Sequence, residues 1–123
     1  MENLKVYESE YRFLCILWDN EPIGSMALVK LCKEQLEWSK ATTYTVIRRL
    51  CQRGIIKNEN SVVSTLITKE QAQLSDFDEL IEKRFDGSLP AFFATFTKQH
   101  TLSDEEIAEI INIIRDNKQE EEV

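Results

Sequence analysis

Five cations stand between positions 37 and 57 of this chain, Lys40, Arg48, Arg49, Arg53 and Lys57, against the single carboxylate of Glu37. Interleaved with them are Ser39, Ala41, Thr42, Tyr44 and Thr45, whose tips carry a hydroxyl, a methyl or, in threonine, both. That mixture suits a nucleic acid. An Arg can bind guanine bidentately, a Thr hydroxyl can bond a base or a phosphate, and Ala or a Thr methyl can touch the thymine methyl. No comparable set points to catalysis. His100 is the sole histidine and the cysteines are scattered, so zinc has no ligand set and a Cys–His nucleophile has no supporting motif. Gly24, Gly54 and Gly87 stand alone rather than in a phosphate-cradling loop. The sequence therefore predicts no enzyme activity, no catalytic residue, no metal and no cofactor.

A net charge of −7 over 123 residues speaks against a polyanionic partner until it is divided. Residues 1–54 carry eight Lys/Arg against seven Asp/Glu, residues 55–68 balance, and residues 69–123 carry six against fourteen. The basic stripe thus adjoins an acidic module, and an anionic ligand responds to the stripe.

The elements that must present the stripe can be read from periodicity. Tyr11, Leu14, Cys15 and Trp18 repeat at helical spacing and predict a first helix to about Asp19, broken by Asn20-Glu21-Pro22. Leu28, Leu31, Cys32 and Leu36 predict a second helix, capped by Gly24 or Ser25. A third opens at Ser39, buries Val46, Ile47 and Leu50, and stops at Gly54, a left-handed C′ residue. The period then shortens. Ile55 to Lys57 and Val62 to Thr68 are β-branched runs around the turn cluster Asn58 to Ser61, which predicts a hairpin. Three helices and then a hairpin is the order of a winged helix-turn-helix, in which the third helix faces DNA.

With the inner face of that helix centred on Val46, Ile47 and Leu50, 100° steps point Ala41, Thr45, Arg48 and Gln52 away from the core. Thr42, Tyr44 and Arg49 flank them. Ala41, Thr42, Thr45 and Arg48 are therefore expected to read bases, and Ser39, Lys40, Tyr44 and Arg49 to hold phosphates. Gln52 and Arg53 are expected to face solvent or to bond within the chain. A merely solvated basic face fits the same residues, but the order of elements favours DNA.

Beyond the hairpin the chain turns helical again. Thr68 to Gln71 and Ser103 to Glu106 match the capping box, and Gly87 separates one helix from another opened by Ser88 and Pro90. The expected fold is mostly α with a small β-hairpin wing, divided into a DNA-binding domain over 1–68 and a helical dimerisation domain with an acidic tail over 69–123. The reason for dimerisation is size. Some 50 residues in short helices bury too little surface alone, so Phe85, Leu89, Phe92, Phe93, Phe96, Ile107, Ile110, Ile111 and Ile114 are expected to pack against a second copy. The phenylalanines could instead line a ligand pocket, an arrangement rarer for aromatics at helical spacing.

Several of these residues carry a family resemblance. Trp18, Pro22-Ile23, and Trp38-Ser39 leading into Thr42, Thr45, Arg49-Leu50 and Gly54, then Phe85, Gly87-Ser88-Leu89, Leu102-Ser103 and Glu105-Glu106-Ile107, resemble the BlaI/MecI/CopY family of winged-helix repressors. The resemblance runs from about Val6 to Ile114. It implies a homodimer that binds an inverted-repeat operator and represses transcription, in the family's case of β-lactamase and penicillin-binding-protein genes. It also implies an upstream, sensor-linked protease, whose Asn-Phe cleavage bond corresponds to Thr95-Phe96 here, with Thr95 in place of the asparagine. The Cys-x-Cys pairs of the copper-sensing branch have no counterpart in this sequence. The turn from Asn58 to Ser61 holds no cation, unlike the family's Arg-bearing wing, and is expected to grip phosphate weakly. That feature and the overall acidity support an alternative of another class, a winged-helix protein-interaction module that does not bind DNA.

Cys15, Cys32 and Cys51 fall on apolar faces, as reduced core thiols do; a redox role would fall first to Cys51. No apolar run approaches the roughly 18 residues of a membrane span, and Met1 to Lys5 lacks the blocks of a signal peptide, so a cytoplasmic protein is expected.

Overall fold

The structure is a computed structural model that describes the backbone of residues 4–122 and side chains as far as Lys118. The acidic side chains Glu120 to Glu122 lie outside the described residues. In order, the elements are α1 (Glu8–Asn20), β1 (Ile23–Gly24), α2 (Ser25–Leu36), α3 (Lys40–Gln52), β2 (Ile56–Glu59), β3 (Val62–Thr65), α4 (Lys69–Phe85), α5 (Leu89–Gln99) and α6 (Asp104–Glu122). Helices dominate, and the strands form one antiparallel sheet in the order β1-β3-β2, the winged-helix arrangement. The chain makes two compact units, one ending at Glu79 and the next beginning at Leu80, so the division falls within α4.

The first unit is built around α1. Glu10 closes its N-terminus, accepting the Tyr7 amide at 3.1 Å. Phe13, Leu14, Ile16 and Leu17 are buried in one cluster with Leu28, Cys32, Val46, Ile47, Leu50, Ile55, Ile56 and Val63. This corrects the expected stripe. Leu14 lies at the centre, but Tyr11, Cys15 and Trp18 are only partly buried at its margin. The helix is held between α2 and β3 and buries a wider arc than one row of side chains. Two polar staples tie its C-terminal end to the sheet. Trp18 Nε1 donates to the Ile67 carbonyl at 3.2 Å, and the Glu21 carboxylate accepts the Thr65 amide at 2.7 Å and its hydroxyl at 2.9 Å.

Pro22 ends the first helix as expected, but the residues after it are not loop alone. Ile23 and Gly24 pair with Val63 and Val62, giving the sheet a third strand. Two residues are too short to show an alternating pattern, which is why periodicity misses it. The hairpin is also tighter than the turn cluster suggests. β2 runs on to Glu59, which pairs with Val62, leaving only Asn60 and Ser61 in the turn, with φ of 55° and 64°. Two successive left-handed residues match the right-handed twist of a hairpin, at a steric cost for any side chain other than glycine.

The second unit begins inside α4. Thr68 and Gln71 complete the expected capping box at the start of that helix, and Ser103 and Glu106 complete another at α6. Ser88 caps α5 by accepting the Ala91 amide at 3.1 Å, with Pro90 in the first turn. Gly87, at φ 77°, comes after a left-handed Asp86 and carries the chain out of α4.

Replacing Ser61 with Gly should relieve the left-handed strain and raise unfolding stability by roughly 0.5–1 kcal/mol. Urea unfolding checks it, with the gain appearing as a higher midpoint at unchanged slope.

Candidate nucleic-acid interface

α3 is delivered to the surface by the turn that precedes it. α2 ends on Glu37, left-handed at φ 59°, whose amide donates to the Lys33 carbonyl while the Trp38 amide donates to that of Cys32. Trp38 then stacks on Phe13, with ring centroids 5.9 Å apart and planes within 8°. A large anchor thus sits immediately before the helix. Ser39 caps it, its hydroxyl accepting the Thr42 amide at 3.1 Å and donating to the Thr42 hydroxyl at 3.0 Å. Behind it Thr43 is fully buried and spends its hydroxyl on the Ser39 carbonyl at 3.0 Å, so the inner face has no unsatisfied group.

That inner face, Thr43, Val46, Ile47 and Leu50, leaves Lys40, Ala41, Thr42, Thr45, Arg48 and Arg49 exposed along with Ser39. Lys40 and Arg48 have no ion-pair partner among the described residues. Tyr44 sits at the margin, half-buried, with its hydroxyl 3.3 Å from Ser25 Oγ at the start of α2. The expected set therefore shares one surface, hydroxyl-bearing in its N-terminal half, where Lys40 is the one cation, and cationic at Arg48 and Arg49 in its C-terminal half.

Arg49 has a second engagement that its spacing does not reveal. Its Nε lies 3.3 Å from Glu10 Oε2, and Arg53 Nη1 lies 2.8 Å from the same oxygen. Arg53 also donates to the Lys5 carbonyl and lies over the Tyr7 ring at 5.8 Å, so it bonds within the chain, one of the two placements expected. Glu10 is the contact of this surface that sequence reasoning misses. It stands 39 residues from Arg49, and by itself it reads as a helix cap.

The wing offers DNA little charge. Its cation, Lys57 on β2, lies 3.6 Å from the exposed Glu59 carboxylate, and the turn itself is Asn60-Ser61. Burial acts on two of the thiols. Burial pushes the Cys32 thiol up to about 11 against a weaker opposing hydrogen bond with Thr43, and burial also raises Cys51. Both shifts favour the protonated thiol at neutral pH, which speaks against an activated Cys51. Among the described residues no group of three or more His, Cys, Asp or Glu is placed to hold a metal. No described helix is long and apolar enough to cross a membrane.

The second unit carries the other candidate surface. Its one buried hydrophobic side chain among the described residues is Ile81. Phe85, Phe92 and Phe96 form a half-buried ring cluster, with Phe92 centred 5.5 Å from Phe85 and 5.6 Å from Phe96. His100, exposed at the C-cap of α5, stacks on Phe96 at 4.7 Å. By contrast Leu89, Phe93, Ile107, Ile111 and Ile114 are exposed, joined by Ile113, which the periodic face did not include. An open groove of about 570 Å³ runs between α5 and α6, lined by Phe93, Ile107, Ile110, Ile111 and Ile114. Thr95 and Phe96 lie within α5, the first exposed and the second half-buried, on helical backbone.

Ser39→Ala should cost about 1 kcal/mol by removing the α3 cap, read as a lower urea midpoint. In the folded protein at pH 8, Cys32 should resist alkylation while the unfolded chain labels freely; mass mapping after iodoacetamide treatment checks this.

Comparison with known proteins places these features in a group. A family model described as penicillinase repressor matches residues 7–116. The methicillin resistance regulatory protein MecI of Staphylococcus aureus strain Mu50 is 27% identical over 121 residues, covering 93% of this chain and 98% of the relative. The penicillinase repressor of Bacillus licheniformis is 22% identical, covering 93% and 92%, and that of Staphylococcus aureus is 23% identical, covering 94% of each.

Proposed function

The chain belongs to the penicillinase repressor family, a family of transcriptional repressors and not of enzymes, and from that premise we propose that it acts as a homodimer on an inverted-repeat operator. The observation that carries this reading is the outer face of α3. Burial of Thr43, Val46, Ile47 and Leu50 leaves Ala41, Thr42, Thr45 and Arg48 on the side that a major groove would meet. Arg48 has the reach and the two-pronged geometry to read a guanine. Ser39, Lys40, Tyr44 and Arg49 hold the flanking phosphates and set register. The segment to Thr68 is the DNA-binding part and the helices from Lys69 onward associate the copies. A two-fold pair sets the recognition helices about one turn of duplex apart, roughly 34–36 Å. The relatives' names suggest genes of β-lactam resistance as targets, and repression places the protein with the DNA in the cytoplasm.

Self-association is supported by the second unit. Among the described residues this group of helices has one buried aliphatic side chain and six exposed large apolar ones, too little buried surface for a core of its own. A second copy supplies the missing half. An upstream protease acting at Thr95-Phe96 would have to unwind α5 locally, because that bond is helical. The second reading, a protein-interaction module that does not bind DNA, draws on the wing, whose cation is neutralised by Glu59.

Binding to an inverted-repeat duplex selected from random sequences, measured across a salt series, tests the first reading. With about six phosphate contacts the log–log slope should be near −5. A flat response, or no binding at low salt, returns the decision to the interaction module. Arg48→Ala should cost about 1–3 kcal/mol at one base position and relax preference there. For the assembly, Ile111→Asp should convert a dimer at micromolar concentration to a monomer by light scattering, with the first unit still folded. A wild-type monomer would remove the dimer from the proposal.

A further inference from the structure

We propose that Glu10 is a positioning residue for DNA binding, holding the Arg49 guanidinium in the pose in which it meets a phosphate, with Arg53 as the anchor that fixes the carboxylate. The inference rests on the DNA-binding reading of α3 and goes beyond it by naming a residue on another helix that prepares the surface.

The distribution of contacts assigns the roles. Glu10 has a side chain only 2% exposed, while those of Arg49 and Arg53 are 49% and 29% exposed. Its Oε1 accepts the Tyr7 amide, and its Oε2 accepts both arginines, so neither carboxylate oxygen is idle. Arg53 is consumed inside the chain by Glu10 and the Lys5 carbonyl, over the Tyr7 ring. Arg49 commits only Nε. Among the described residues its two Nη groups have no hydrogen-bond partner, and they are the half of the guanidinium able to grip a phosphate.

Charge and entropy then point the same way. Two arginines share one carboxylate, so the cluster keeps a positive charge next to the base-reading residues. A free Arg would lose its rotamer freedom on binding DNA, whereas one already held by Glu10 has lost much of it on folding. The link also joins α1 to the recognition helix.

Glu10→Gln is the informative change, since Gln keeps the shape and still accepts the Tyr7 amide. Two effects of this substitution oppose each other. Removing a negative charge near DNA strengthens binding if charge alone matters; releasing Arg49 weakens it. The expected result is operator binding roughly fivefold to tenfold weaker, with a salt slope shallower by up to about 0.9 per protomer. Glu10→Gln combined with Arg49→Ala should bind no more weakly than Arg49→Ala alone. Binding equal to or tighter than wild type, or losses that multiply in the double variant, would overturn the proposal while leaving the DNA reading intact. A wild-type protein that binds no duplex overturns both. Should Glu10→Gln lose its fold by circular dichroism, Arg49→Lys decides. A lysine keeps the charge but lacks the Nε–H that Glu10 holds, so binding close to Arg49→Ala supports the proposal and wild-type binding refutes it.

Discussion

The third helix can be buried in one way only, and the surface of the first unit is a consequence of that. Thr43, Val46, Ile47 and Leu50 form the one face of α3 that enters the core, and no charged side chain lies on it. Rotating the helix by one residue would bring Arg48 or Arg49 inward, at the cost of an unpaired buried ion. The helix therefore has a fixed angular setting, and Ala41, Thr45 and Arg48 face outward because their opposite numbers cannot. Trp38 on Phe13 and the Ser39 cap set where the helix starts.

Much of this arrangement was legible because its determinants are local. Ser39, Thr68, Ser88 and Ser103 announce helix starts through groups within three residues, and Gly54 and Gly87 announce ends through their positive φ. The three-helix-and-hairpin order needed nothing longer in range. What periodicity could not show is long-range or very short. β1 has two residues and exists only because Val62 and Val63 pair with it. The buried arc of α1 is wider than a single stripe because neighbours cover it on more than one side. Glu10 pairs with Arg49 and Arg53 across 39 and 43 residues, a separation at which no local pattern can show it. The stacking of His100 on Phe96 was concealed by the polar residues beside it in sequence.

The two units differ in how they meet the cost of folding. The first buries a continuous cluster from α1, α2, α3 and the strands, with every described buried side-chain polar atom hydrogen-bonded. The second closes its helices with caps and a phenylalanine cluster but exposes Phe93, Ile107, Ile111, Ile113 and Ile114. The same contrast runs through charge. Cations gather on α3, while Asp104, Glu105 and Glu106 occupy the first turn of α6, where they favour the helix dipole. The net charge of −7 thus conceals a cationic stretch beside a strongly acidic one.

A duplex titration monitored by methyl NMR addresses the central claim most directly, because it reports which face of α3 meets DNA. The outer methyls of Ala41, Thr42 and Thr45 should shift or broaden on adding a selected inverted-repeat duplex, while those of Val46 and Ile47 on the inner face hold their positions. Perturbation confined to other elements, or spread equally over both faces of the helix, would contradict the account.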